Sequence, residues 1–408
     1  MHAVGEIDVQ ASRGSEHHRR ARCLTSEGMR SRVSDPGIRL DLSEPNRHAA
    51  VRDSRAEQVD GHVEHGPVVE ATGQAGHADS LAQPRGILSG MPSTATTGQV
   101  TLRFLAAPTD AGQGGSVSGG RILEWIDKAG FACAAGWSGR YCVTAYVGNI
   151  DFHRPVQVGD LVEVSAQLVL TGRSSMTIVV DVSSGNPRGG QVEHAFECRM
   201  VFVAVDDEGR TVDVAQWDPP GAVLRAAQAE ARRRIDLRER VKSLVAAQDW
   251  EGATLAHGAT LRFLAAPTDV NWGGKVHGGI LMRWLDETGY VCASGWSQTH
   301  VVSRFSGGVS FLRPIRIGDV VEIQSRLVHT GRTSMHVALR VLAGSPRTGE
   351  LALATQCTSV YVALDADGRP YPVPTWTPTA AVDLAAQERA LEFMALRADP
   401  AFHSTPRS

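Results

Sequence analysis

Between Asp269 and Glu287 the chain gathers an amide, an imidazole, two adjacent glycines and a carboxylate: Asn271, His277, Gly278, Gly279 and Asp286. A carboxylate carried on a helix can take a proton from water or act as the nucleophile itself. The general base is preferred here, because a positioned water needs only a carboxylate partner. Free N–H groups at a helix start stabilise negative charge developing on a substrate oxygen. Glycines at that start let a substrate approach the backbone closely. A glycine pair alone would more simply serve a tight turn; the company of Asn271, His277 and Asp286 points to chemistry. His277 directly precedes the helix, where capping or packing weighs evenly with a contribution to site polarity.

The same pattern occurs twice. Laid on itself with a shift of 159, the chain matches without gaps: Thr101–Asp110 recurs identically as Thr260–Asp269. Phe152, Arg154, Pro155, Gly159 and Asp160 return as Phe311, Arg313, Pro314, Gly318 and Asp319, and Gly172–Met176 as Gly331–Met335. Two copies mean a tandem duplication, since a solenoid needs three or more short repeats. Two related units in one chain can reproduce the two-fold interface of a homodimer while each diverges. The copies do diverge: Gly112 and Ser118 stand where the second copy has Asn271 and His277, while Gly119, Gly120 and Asp127 match Gly278, Gly279 and Asp286.

Composition bounds the reading. The chain has 408 residues, 41 Lys+Arg against 44 Asp+Glu, a formal charge of −3 and 42% apolar residues. That balance lacks the footprint of a nucleic-acid binder, and no stretch approaches the length of a membrane span. The N-terminus has no apolar secretory block, and the six cysteines form no CxxC pair, so neither a zinc site nor a disulfide framework is expected. No His-x-x-x-His appears, so no metal ligands are assigned. The expected compartment is the cytoplasm.

Residues 1–95 contain no Phe, Trp or Tyr but seven of the fifteen histidines, and are expected to be a disordered extension. Residues 96–220 form the first unit, 221–250 a helical linker, 251–378 the second unit and 379–408 a C-terminal helix and tail. In each unit an apolar stretch, a Pro-Thr-Asp turn and a Gly-rich loop lead into a helix. Its apolar stripe is Ile122, Leu123, Ile126, Ala129 and Cys133 in one copy and Leu281, Trp284, Leu285, Thr288 and Cys292 in the other. Gly136-Trp137 and Gly295-Trp296 are expected to end these helices. Alternation from Val162 to Leu168 predicts a half-buried antiparallel strand, and Thr177–Val182 and His194–Val205 predict further ones. Ala-rich helices are expected over Ala222–Ala246 and Ala380–Ala395. The fold class is therefore α+β, each unit a long helix on an antiparallel sheet.

Asp269-Val270-Asn271-Trp272-Gly273-Gly274-Lys275-Val276-His277-Gly278-Gly279 with Asp286-Glu287 resembles the Asn-x-x-Gly-x-x-His-Gly-Gly…Asp-Glu motif of hotdog-fold acyl-CoA thioesterases. Phe-x-Arg-Pro-(x)3-Gly-Asp and Gly-Arg-(Ser/Thr)-Ser-Met are further features of that family, and the resemblance covers about residues 100–380. It implies two tandem hotdog domains, each a long helix wrapped by a curved antiparallel sheet, packed as an intrachain pseudo-dimer. It implies coenzyme A thioesters as substrates, hydrolysed to free acid and CoA without a cofactor. It also implies a site shared between units, an Asn from one loop addressing the thioester with an acidic residue from the other helix. Only Asn271 with Asp127 completes that pair, because Gly112 with Asp286 has lost the amide. Asn271 would orient the water or the carbonyl, and Gly278, Gly279, Gly119 and Gly120 would bind the thioester oxygen.

Arg173, Arg332, Ser334, Arg188 and Arg347 lie in turns and are candidate contacts for the phosphates of coenzyme A. The Arg232-Arg233-Arg234 run is read as a solvated face, with Glu230, Asp236 and Glu239 nearby. The family further implies that such double units gather into homo-oligomers such as trimers. Two other readings stand beside hydrolysis: a non-catalytic acyl-CoA sensor, suggested by the missing Asn and His of the first copy, and a hotdog dehydratase using His277.

Overall fold

The structure is a computed structural model and describes residues 98–398, apart from 190, 253–256 and 272. The expected N-terminal extension, residues 1–95, lies outside the described residues. Each copy supplies a strand, a long helix and a run of antiparallel strands. In the first these are β1 (Gln99–Leu105), α1 (Gly119–Ser138), β2 (Tyr141–Val147), a short β3 (Ile150–Asp151), β4 (Leu161–Thr171), β5 (Ser175–Gly185) and β6 (Glu193–Val205). The linker helix α2 (Gly221–Ala246) follows. The second copy gives β7 (Gly258–Leu264), α3 (Gly278–Ser297), β8 (His300–Phe311), β9 (Val320–Thr330), β10 (Ser334–Gly344), β11 (Ala352–Leu364) and α4 (Ala381–Ala398).

Among the described residues the strands form one sheet in the order β1-β4-β5-β6-β2-β8-β11-β10-β9-β7, with β3 on β8. The seam between the copies is β2 against β8, antiparallel, with Tyr146 opposite Ser310 and Val147 opposite Val309. The two units thus pair edge to edge, as the duplication predicts for an intrachain pseudo-dimer. One face of the sheet carries α1 and α3. Ile122, Leu123, Ile126 and Cys133 pack there with Val164, Leu168, Ile178, Met200 and Phe202 in one buried core. Each fully buried aliphatic or aromatic side chain contributes about 1.5–3 kcal/mol of transfer free energy, so this stripe fixes which face each helix turns inward. Other, smaller clusters place α2 over the opposite face of the first unit, through Ala231 on Val169 and Val179. In the second unit Ala386 and Ala390 of α4 sit on Val328 and Ala338.

The two long helices cross where glycine allows it. A Cβ on Gly279 would stand 2.6 Å from Glu124 Cα, and one on Gly120 would stand 2.8 Å from Arg283 Cα. Both helices run past the Gly-Trp pairs expected to end them, and stop at Gly139 (φ 62°) and Gln298 (φ 55°) in the left-handed conformation. The Trp137 and Trp296 indoles instead tie the last turn to the carbonyls of Ala215 and Pro374. Strands β5 and β6 extend beyond the expected ranges, and β2, β3 and β8 have no counterpart among the expected strands. Arg234 is also not on a solvated face: its side chain is 14% exposed because α2 turns it toward the sheet.

Candidate active site

Asp127 sits in the third turn of α1 with its carboxylate 4% exposed. Four groups meet it. Thr144 of β2 donates its hydroxyl to Oδ1 at 2.7 Å, and the Gly279 N–H donates to Oδ2 at 2.8 Å. His277 Nδ1 lies 3.1 Å from the same Oδ2, and Gly278 is so close that a Cβ would be 3.0 Å from that oxygen. The start of α3, in the second copy, is therefore built against a carboxylate of the first. A buried carboxylate needs such donors, since charge without partners is costly in the interior.

His277 is the N-cap of α3 and accepts from the Gly279 N–H at 3.1 Å in one reading of that geometry. The same N–H lies nearer the charged Asp127 oxygen, at 2.8 Å. The consistent proton arrangement gives that N–H to the carboxylate and lets His277 Nδ1–H donate to it as well.

Asn271 shapes its loop. Its side-chain Oδ1 accepts from the N–H groups of Gly273 at 2.9 Å and Lys275 at 3.0 Å. With the oxygen spent on the loop, the side chain has its Nδ2 donors left for other partners, which suits a carbonyl acceptor better than an attacking water. Tyr141 of β2 packs on this loop: a Cβ on Gly273 would meet its ring at 2.6 Å, and its hydroxyl is within bonding reach of Asn271 and the Gly273 backbone. Burial, with the Asp127 charge nearby, pushes the Tyr141 hydroxyl above its ordinary value, so it stays protonated.

Asp127, Asn271, His277, Gly278, Tyr141 and Thr144 line one cavity of about 260 Å³. Phe131, Val143, Leu281 and Phe311 give it an apolar wall, and Lys275 and Arg313 bring positive charge to it. Sequence reasoning missed Tyr141, Thr144, Lys275 and Arg313. Arg313 stood in plain sight within the Phe-x-Arg-Pro repeat.

The second carboxylate has a different setting. Asp286 Oδ2 accepts from the Gly120 N–H at 2.9 Å, and the Tyr361 hydroxyl reaches Oδ1 at 3.3 Å and the Asp286 carbonyl at 3.0 Å. Burial pushes its carboxyl above the ordinary value, although the Gly120 N–H pulls the other way. Ser118 caps α1 through the Arg121 N–H at 3.2 Å, Gly112 offers no side chain, and His300 takes the place of Tyr141, against Gly114. Asp286 lines neither of the two cavities described in this structure.

Two expectations are corrected by this geometry. The N–H groups of Gly279 and Gly120 are held by the carboxylates of Asp127 and Asp286, so they position those acids and are not open to a substrate oxygen. Their missing side chains serve the helix crossing. The structure does not bring the five turn residues to the cavity. Arg173 is exposed and 3.7 Å from Asp213, Arg188, Arg332 and Arg347 are exposed, and Ser334 closes a turn through its carbonyl to the Gly331 N–H at 2.9 Å.

Comparison with known proteins gives concordant results. A family profile described as the thioesterase superfamily matches residues 114–190 and again 273–350. The chain is 29% identical over 298 residues to the cytosolic acyl coenzyme A thioester hydrolase of Mus musculus, covering 68% of this chain and 78% of that one. To the Homo sapiens protein of the same name it is 29% identical over 290 residues, covering 66% and 76%. To the acyl-CoA thioester hydrolase YciA of Salmonella typhimurium it is 39% identical over 118 residues, 28% of this chain and 88% of that one.

Proposed function

We propose, for a chain that belongs to the thioesterase superfamily, that one site per chain carries the reaction, built from Asp127 of the first copy and Asn271 and His277 of the second. The protein is an acyl-CoA thioester hydrolase, cleaving acyl-CoA with water to a free acid and coenzyme A. The observation that supports this assignment of the site is the single cavity in which Asp127, Asn271 and His277 meet across the two copies.

In the proposed mechanism a water beside Asp127 gives a proton to the carboxylate as its oxygen adds to the thioester carbonyl carbon. Negative charge builds on the carbonyl oxygen, and Asn271 Nδ2 and the Gly278 N–H at the open first turn of α3 donate to it. When the adduct collapses the C–S bond breaks, and the leaving sulfur takes the proton held by Asp127. Thr144, His277 and the Gly279 N–H fix the carboxylate so that one orientation faces the water. The step balances with acyl-CoA and water as its reactants, and it calls for no metal or organic cofactor. The acyl group lies along Phe131 and Leu281, and Lys275 and Arg313 face the phosphates of the carrier.

Asp286, without an amide opposite, is read as a structural remnant of the second site. A pure acyl-CoA sensor is the competing reading, since the first copy has lost its Asn and His. Thiol release from short, medium and long acyl-CoAs decides between them: release at the rate of buffer alone, with binding retained, would refute hydrolysis. The matched mammalian relatives are named cytosolic, and the cytoplasm is assigned here on that basis. No helix among the described residues is long and apolar enough to cross a membrane. Because β2 and β8 already make the two-fold pairing within one chain, a trimer of chains is the proposed assembly, read by light scattering.

A further inference from the structure

The largest cavity described is on the other side of the sheet from Asp127. It holds about 610 Å³ between α2 and the outer face of β5 and β6, a size typical of small-molecule sites. The duplication supplies its own control. Arg234 of α2 lines this chamber, whereas the matching residue of α4 is Phe393. Phe393 packs on Phe305 with ring centroids 5.8 Å apart, and with Leu396 and Val360 it forms a buried apolar cluster. Glu197, Arg199 and His194 of the chamber are matched by Gln356, Thr358 and Leu353. The second copy has an aromatic ring in place of Arg234 and neutral side chains in place of Glu197 and Arg199, and the first has kept the space open with charge in it.

The charges are arranged by wall. Arg234 and Arg238 stand on the helix, and Asp181, Glu197 and Arg199 on the strands. Arg199 pairs with Glu197 at 2.9 Å, and Arg234 with Glu230 at 2.5 Å. A guanidinium fork matches phosphate oxygens, and each of these would share its donors between the carboxylate it holds and the phosphate. Carboxylates on the facing wall accept hydrogen bonds from hydroxyl or amino groups. Between them Tyr146 and Ile235 offer apolar surface for a flat ring. We infer that this chamber is a second ligand site, separate from the thioester site, for a ribonucleoside phosphate. Guanidinium, carboxylate and apolar groups line this one chamber, and a ribonucleoside phosphate engages all three where inorganic phosphate engages only the first.

The test uses the full chain, with AMP, GMP, ribose 5-phosphate and inorganic phosphate as probes in calorimetry and thermal unfolding. Either nucleotide should bind and raise Tm, and inorganic phosphate should bind at least about tenfold more weakly. Arg234→Phe installs the residue of the second copy, and Arg199→Thr does the same on the sheet wall. Each should weaken nucleotide binding about tenfold or more while leaving thiol release without nucleotide unchanged. Because coenzyme A itself carries a nucleotide, one outcome is decisive against the inference. Binding that persists in both variants and competes with acyl-CoA would place the nucleotide in the substrate site. Absence of binding by every probe, or equal affinity for AMP and inorganic phosphate, would overturn it too.

Discussion

Replacing Asn271 by Asp separates two jobs that one side chain holds. Its Oδ1 anchors the loop through Gly273 at 2.9 Å and Lys275 at 3.0 Å, and an Asp oxygen can accept both bonds. Its Nδ2 is the donor assigned to the substrate carbonyl, and Asp has none. Losing one oxyanion donor costs about 10²–10³ in kcat, roughly 2.7–4 kcal/mol, and the added negative charge opposes the developing oxyanion further. Asn271→Asp should therefore keep its Tm and lose activity by that factor or more. Asn271→Gly reproduces Gly112 of the first copy, and loses the loop bonds as well, at about 0.5–1.5 kcal/mol each. It should be both inactive and less stable. Thiol release at saturating acyl-CoA gives kcat, and thermal unfolding gives the stability difference. An Asn271→Asp enzyme within about threefold of the parent rate, a difference of about 0.6 kcal/mol, would refute the donor role.

Gly279→Ala should force α1 and α3 apart, because its Cβ would stand 2.6 Å from Glu124 Cα; a loss of about 1–3 kcal/mol in unfolding free energy is expected, and an unchanged Tm would contradict the crossing. Thr144→Val keeps the shape and removes the 2.7 Å bond to Asp127. Since hydrogen bonds to charged groups contribute about 1.5–3 kcal/mol, kcat should fall about 10- to 100-fold, and a variant with the parent kcat would show that Thr144 does not position the base. His336 is depressed from 6.5 to about 3 by burial, reinforced by His329 and Arg397. A depressed folded value means stability that is present above about pH 6.5 and lost as the pH falls toward 3. His336→Thr, the residue of the first copy, should flatten that acid loss when Tm is compared at pH 7 and 4; an identical acid slope in parent and variant would rule the histidine out.

The duplication made the division of labour readable. Matching Asp127 with Asp286 and Asn271 with Gly112 required only the shift of 159, and the crossed placement of those residues then rested on family likeness. What escaped was non-local. The roles of Gly120 and Gly279 depend on Arg283 and Glu124 of the opposite helix, a contact that no local pattern announces. Tyr141 and Thr144 lie on β2, whose value comes from pairing with β8 at the seam and from facing a loop of the other copy. Arg234 sat in a run of three arginines that reads as solvated. Only the packing of α2 over the first sheet showed one of the three turned inward. The helix stripes and the alternating strand at Val162–Leu168 were legible because one-sided burial writes its period directly into the residues.

The central claim is that one carboxylate works and its duplicate does not, and paired substitution tests it most directly. Asp127→Asn and Asp286→Asn change the same atom in the two copies, and each retains an oxygen to accept the glycine N–H that now reaches the acid, at 2.8 Å and 2.9 Å. Removing a general base costs about 10²–10⁴ in rate. Thiol release by the Asp127→Asn chain should fall by that factor while the Asp286→Asn chain stays near the parent rate. Equal losses in the two chains, or a greater loss from Asp286→Asn, would contradict a single site shared between Asp127 and Asn271.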